Sequence, residues 1–166
     1  MRDVFGARSR SGEADLADFP DPDPDLDSDG QRSILVVVDG NESSLRAAAY
    51  AVGLARRQGL RLVALYVHTI GALASTTDSI HAMRVANSEA VRALRLEMNR
   101  QAVALGVDIA VVERNGSPYL ETLRLAGQLR VDAVVMASGR NFGHHYFGSP
   151  VSRLVRDAQC PVTVVP

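Results

Sequence analysis

Residues 34–40 read ILVVVDG, five consecutive apolar residues, most of them β-branched, that stop at an aspartate and a glycine. A strand with one wet face alternates apolar and polar residues. An unbroken apolar run of this kind belongs instead to a strand covered on both faces, at the centre of a parallel sheet. Parallel strands need crossover connections, usually helices, and the chain supplies them in order. Ser43 or Ser44 is the expected cap of a helix whose apolar positions Leu45, Ala48, Val52 and Ala55 recur every three or four residues, and Gly59 stops it. Residues 62–67 read as a second buried strand.

Residues 69–79 are small and polar, which predicts a flexible connection into a long helix over about residues 81–105. That helix carries the stripe Val91, Leu94, Met98, Ala102 and Leu105, and Gly106 ends it. Residues 107–112 form the expected third strand. Asn115, Gly116, Ser117 and Pro118 then make a turn and helix start, with Leu120, Leu123 and Ala126 facing inward. Residues 132–136 read as a fourth strand. A short helix opens at Gly148, Ser149 and Pro150 and is marked by Val151, Leu154, Val155 and Ala158, and residues 161–165 read as a fifth strand. The alternation predicts one three-layer α/β/α domain, Rossmann-like, with a five-stranded parallel sheet, right-handed crossovers and a ligand crevice at the carboxyl ends of the strands. Asp39, Val67 and Ser138 lie at such ends.

The 166 residues suffice for one domain of this kind. No apolar run approaches the ~20 residues of a membrane helix, so no membrane partner is expected. Residues 1–32 are different in kind: they hold nine acidic and four basic side chains, a net of −5, and residues 18–30 read DFPDPDPDLDSDG. This Pro/Asp alternation leaves little to bury and predicts an unfolded acidic tail on a domain spanning residues 33–166. That domain carries ten acidic and fourteen basic residues, a net of +4. The tail reads either as a solvated extension or as an arm that mimics an anionic ligand or docks a partner. The amino terminus lacks the apolar centre of a signal peptide, and the one cysteine, Cys160, permits no intramolecular disulfide, so a cytoplasmic location is expected.

All 18 basic residues are arginine. A phosphate site in this chain must therefore use backbone amides, hydroxyls or Arg, since a Walker-type or Schiff-base lysine does not exist. Residues 137–152, ASGRNFGHHYFGSPVS, offer such a site: a glycine-bearing loop ends on a helix start at Gly148 and Ser149, where free amides and the helix dipole favour an anion. Arg140 either adds charge there or faces water. Asp39, at the end of the first strand, either meets a ribose hydroxyl or caps the next helix. Neighbouring His144 and His145 read as loop imidazoles without a metal. No Ser-His-Asp arrangement or nucleophile elbow is present, and the modest basic excess with few aromatics argues against nucleic acid.

ILVVVDGNESSLRAA, VVMAS and GSPVSRLVRDAQCPVTVV together resemble the universal stress protein family over about residues 33–166. The resemblance implies an adenine-nucleotide α-hydrolase-like domain and a homodimer that pairs its last strands, here residues 162–165. It also implies ATP, AMP or another adenine nucleotide as a regulatory ligand in stress response, with Mg only alongside the nucleotide; the residues themselves offer no positioned base and no metal carboxylate cluster beyond Asp39, so at most slow ATP hydrolysis is expected. On that basis Asp39 meets the ribose and the backbone around Val67 the adenine. Gly148, Ser149 and Val151 meet the phosphates, with Ser138, Gly139, Arg140 and Gly143 forming the loop. The family's nucleotide binders carry a glycine, two residues, a second glycine, nine residues, then Gly with Ser or Thr. Here Ala137 and Arg140 fall on the two glycines, and only seven residues separate Arg140 from Gly148. Two outcomes stay open: a rebuilt nucleotide site, or an interaction module whose shortened loop or acidic tail docks a protein partner.

Overall fold

The computed structural model describes residues 30–69, 77–138 and 150–166. Its elements follow in the order β1 (Ser33–Val38), α1 (Glu42–Gln58), β2 (Arg61–His68), α2 (Thr77–Leu105), β3 (Ile109–Asn115), α3 (Pro118–Leu129), β4 (Ala133–Ala137), α4 (Pro150–Asp157) and β5 (Val162–Val165). The strands form one sheet in the order β3-β2-β1-β4-β5, and every pairing is parallel. This is the expected three-layer α/β/α arrangement.

β1 lies at the centre, and its side chains feed two cores. Ile34, Val36 and Val38 pack with Ala47, Ala51 and Val52 of α1 and with Val91, Leu94 and Met98 of α2. Leu35 points the other way, into a second cluster with Val63, Leu125 of α3, Val134 and Leu154 of α4. Strand alternation thus explains why an uninterrupted apolar run was required. The inward face of α1 is built largely of alanines, whose small side chains let the helix sit close to the sheet.

Several local expectations are corrected. The cap of α1 is Asn41, whose side chain accepts a hydrogen bond from Ser44 N–H, so the helix starts before both serines. Leu45 lies on the outer face at 43% exposure, and the inward stripe runs through Ser44, Ala47, Ala48, Ala51, Val52 and Ala55. α2 begins at Thr77 rather than near residue 81, which shortens the connection after β2. β3 is displaced toward the carboxyl side of its expected span: Val107 is still turning out of α2, its N–H bonded to the Ala102 carbonyl. Leu120 and Val155 are exposed, so the inward faces of α3 and α4 centre on Leu125 and Leu154. The acidic tail up to residue 29 lies outside the described residues, as do residues 70–76 and 139–149.

Leu35 is fully buried on β1 whereas Leu96 on α2 is 74% exposed. Leu35→Ala should cost about 2–5 kcal/mol in denaturant unfolding, while Leu96→Ala stays within about 0.5 kcal/mol of the parent.

Candidate functional site at the β1/β4 switch point

In the order β3-β2-β1-β4-β5 the chain reverses its direction of growth between β1 and β4. The helices after these two strands lie on opposite faces of the sheet, which leaves a crevice at their carboxyl ends. A cavity of about 70 Å³ occupies that position. Its floor is apolar, formed by Val37, Val67, Met136, Ala137 and Leu154, and Pro118, Tyr119 and Thr122 of α3 make one wall. Asp39 and Asn41 stand at its polar side.

The polar side is a hydrogen-bonded unit at the start of α1. Asp39 Oδ1 accepts from the Asn41 backbone N–H at 3.0 Å, and Oδ2 accepts from Asn41 Nδ2 at 2.7 Å. The Asn41 side-chain oxygen in turn caps Ser44 N–H at 2.8 Å, and the Asp39 N–H donates to Ser44 Oγ at 3.3 Å. Asp39 therefore orients the cap and does not itself close the helix. Each of its oxygens accepts one of these bonds and keeps a lone pair for another donor. Gly40, with φ of +82°, makes the turn that brings Asn41 back over Asp39, a conformation that favours glycine.

The opposite wall is tied down by α4. The Tyr119 hydroxyl donates to Asp157 Oδ2 at 2.6 Å, and the Arg153 guanidinium lies 4.3 Å from the centre of the Tyr119 ring. The bond to Asp157 pushes the Tyr119 hydroxyl above its ordinary pKa. One side chain thereby links the cavity wall to the helix that follows residues 139–149.

Beside the cavity, on the α2 face, His68 Nε2 lies 3.0 Å from Glu113 Oε2, and Arg95 Nη2 donates to Glu113 Oε1 at 2.9 Å. Tyr66 meets the His68 ring edge-on, with centroids 5.0 Å apart. Burial pushes the Glu113 carboxyl up, but the hydrogen bonds from His68 and Arg95 outweigh it and hold the group below its ordinary value. Tyr66 is raised by burial and by the charges of Asp39 and Glu113.

Of the residues singled out from the sequence, Asp39 and Val67 both line the cavity. Ser138 just follows β4, and its N–H is taken by the Val165 carbonyl at 2.7 Å. Val151 sits half-buried in the first turn of α4 and is not part of the cavity lining. Gly139, Arg140, Gly143, Gly148 and Ser149 lie outside the described residues, with His144 and His145. Asn41, Ser44, Tyr119, Thr122, Met136 and Leu154 also line the cavity and were not foreseen. A signal existed for Asn41, since Asp-Gly-Asn after a buried strand is a turn that ends on a good helix cap. None existed for Tyr119 or Thr122, which reach the site only through the packing of α3.

The molecule is thus a doubly wound α/β protein with an apolar cleft and a fixed carboxylate at its switch point. The model of the universal stress protein family matches residues 31–166, and the chain belongs to that family. A universal stress protein of Methanocaldococcus jannaschii is 27% identical over 139 residues, covering 81% of each chain. Among solved structures, UspA from Lactobacillus plantarum aligns with a TM-score of 0.70 and 26% identity, over 82% of this chain and 98% of its own. A universal stress protein solved in complex with cAMP aligns with a TM-score of 0.63 and 22% identity, over 82% and 97%. One from Archaeoglobus fulgidus in complex with dAMP gives 0.52 and 19%, over 82% and 98%.

The lowered Glu113 carboxyl contributes stability that is complete above the ordinary carboxylate pKa of about 4.3 and is lost as pH falls through its lower native value. Glu113→Gln should therefore melt below the parent at neutral pH, and the gap should close in acid below about pH 4.

Proposed function

We propose that this chain binds an adenine nucleotide, ATP or AMP foremost, as a regulatory ligand in the cytoplasmic stress response. The observation that carries the reading is the pairing of an apolar cavity with a fixed, exposed carboxylate at the switch point. A flat aromatic base suits the floor around Val67. The free lone pairs of Asp39 suit the vicinal hydroxyls of a ribose. The cAMP and dAMP complexes of structural relatives support the same ligand class.

In this reading the phosphates run toward Gly148, Ser149 and Val151 at the head of α4, with Ser138, Gly139, Arg140 and Gly143 in the intervening loop. In a chain without lysine, their charge is met by backbone amides, the Ser149 hydroxyl and Arg140. Any Mg would arrive with the nucleotide, held by its phosphates. The described residues include no helix long and apolar enough to cross a membrane. β5 is the outer strand of the sheet beside β4, with Val164 exposed, and residues 162–165 are the proposed pairing edge of a homodimer.

A second reading rests on the shortened loop. With Ala137 and Arg140 on the family's glycine positions and seven residues before Gly148, the phosphate half of the site is lost and the domain serves as an interaction module. Isothermal titration calorimetry separates the two. The first reading expects heat with at least one of ATP, ADP, AMP and cAMP, and about tenfold to a hundredfold weaker binding in Asp39→Ala, the cost of losing hydrogen bonds to a charged group. Neither heat nor a thermal shift with any of the four would overturn it and favour the second.

A further inference from the structure

At the amino end of the sheet, opposite the nucleotide cleft, lies a larger cavity of about 420 Å³ between the last turns of α3 and α4. Leu123, Ala126 and Val131 give it an apolar side, and Arg130, Asp157 and Cys160 a polar one. Helices return to this end of the sheet, so their last turns bring arginines with them: Arg56 and Arg57 on α1, Arg130 after α3 and Arg156 on α4. Arg32 and Arg61 add two more at the starts of β1 and β2. The acidic groups at this end are Asp108, Asp132 and Asp157, and each already sits in an ion pair, with Arg61, Arg32 and Arg156 respectively. Six arginines against three aspartates leave this end of the sheet positive, with Arg130 and Asp157 the two charged residues that line the cavity itself.

Arg130 stands out for a second reason. Its φ is 50°, and it alone among the described residues other than glycine has a positive φ. It occupies the left-handed cap of α3, where glycine carries no Cβ penalty.

The chain enters the described fold at this same place. Arg32 Nη2 bonds Asp132 at 2.7 Å, and the Asp132 N–H donates to the Ser33 carbonyl at 2.8 Å, which sets the start of β1 beside Val131 and Arg130. We propose that the acidic segment of residues 18–29 docks at this positive end of its own domain, over the cavity that Arg130 lines. Nine of its twelve residues are Asp or Pro in alternation or close to it, with Phe19 and Leu26 as apolar members for the Leu123, Ala126 and Val131 side. Twelve residues in polyproline conformation span about 37 Å, enough to cross the face of a domain of this size.

Cys160 lines the cavity and is the only thiol in the chain, so it reports on the cavity's cover. The experiment is alkylation of Cys160 in the full chain by iodoacetamide, a neutral reagent, followed by intact mass. Docking expects slow labelling at low salt and labelling faster by about three- to tenfold near 1 M NaCl, where the screening length is about 3 Å. The same gain is expected at low salt when Asp21, Asp23, Asp25, Asp27 and Asp29 are all changed to Asn. Arg130→Gly should label as fast while keeping or raising the melting temperature, because it relieves the backbone as it removes the charge. Arg130→Glu should also speed labelling, although a carboxylate beside the thiol would by itself slow it. Equal rates across salts and variants would overturn the proposal. So would protection that grows with protein concentration, the mark of a tail exchanged between two copies.

Discussion

Burial of β1 on both faces is the constraint on which the rest of the structure depends. Ile34, Val36 and Val38 close one core and Leu35 the other, each of these side chains at 1% exposure or less. Each contributes about 1.5–3 kcal/mol relative to exposure, so removing β1 from the centre would cost both cores at once. With β1 fixed between β2 and β4, the chain must cover the two faces with different helices, and the crevice at the β1/β4 boundary follows from that division. The site is a by-product of the way the core is split.

The same strand delivers the site's carboxylate. β1 ends at Val38, and the next residues form the Asp39–Gly40–Asn41 turn whose bonds cap α1. The interactions that start the helix therefore also hold Asp39 at the cavity. Across the cleft, the Tyr119–Asp157 bond and the Arg153 contact couple the cavity wall to α4. Fold stability and the shape of the cleft share residues on both sides of it.

The strands, helices and layer order were legible in the sequence because unbroken apolar runs and period-3.6 stripes are local signals. Stops such as Gly59 and Gly106, both at positive φ in the structure, were legible for the same reason. Helix starts were less so: Ser43, Ser44 and Asn41 are all good caps, and only the hydrogen bonds show that Asn41 is the one used. The outward turn of Leu45 and Leu120 escaped because several phases of a helix fit a short apolar pattern. Of the site, Asp39 and Val67 were readable from their places at strand ends. Tyr119, Thr122 and the Glu113 pair with His68 and Arg95 were not, because they depend on the packing of α3 and on partners up to 45 residues away in the chain.

The central claim is that an adenine nucleotide occupies the cleft between β1 and β4. Its most direct test is a titration of isotope-labelled full-length protein with AMP and with ATP, followed by amide chemical shifts. The account predicts saturable shifts at Val37, Asp39, Val67 and Ala137, with the amides of Cys160 and Arg130 unmoved. Shifts absent from those four residues at millimolar nucleotide, or confined to other parts of the fold, would contradict it.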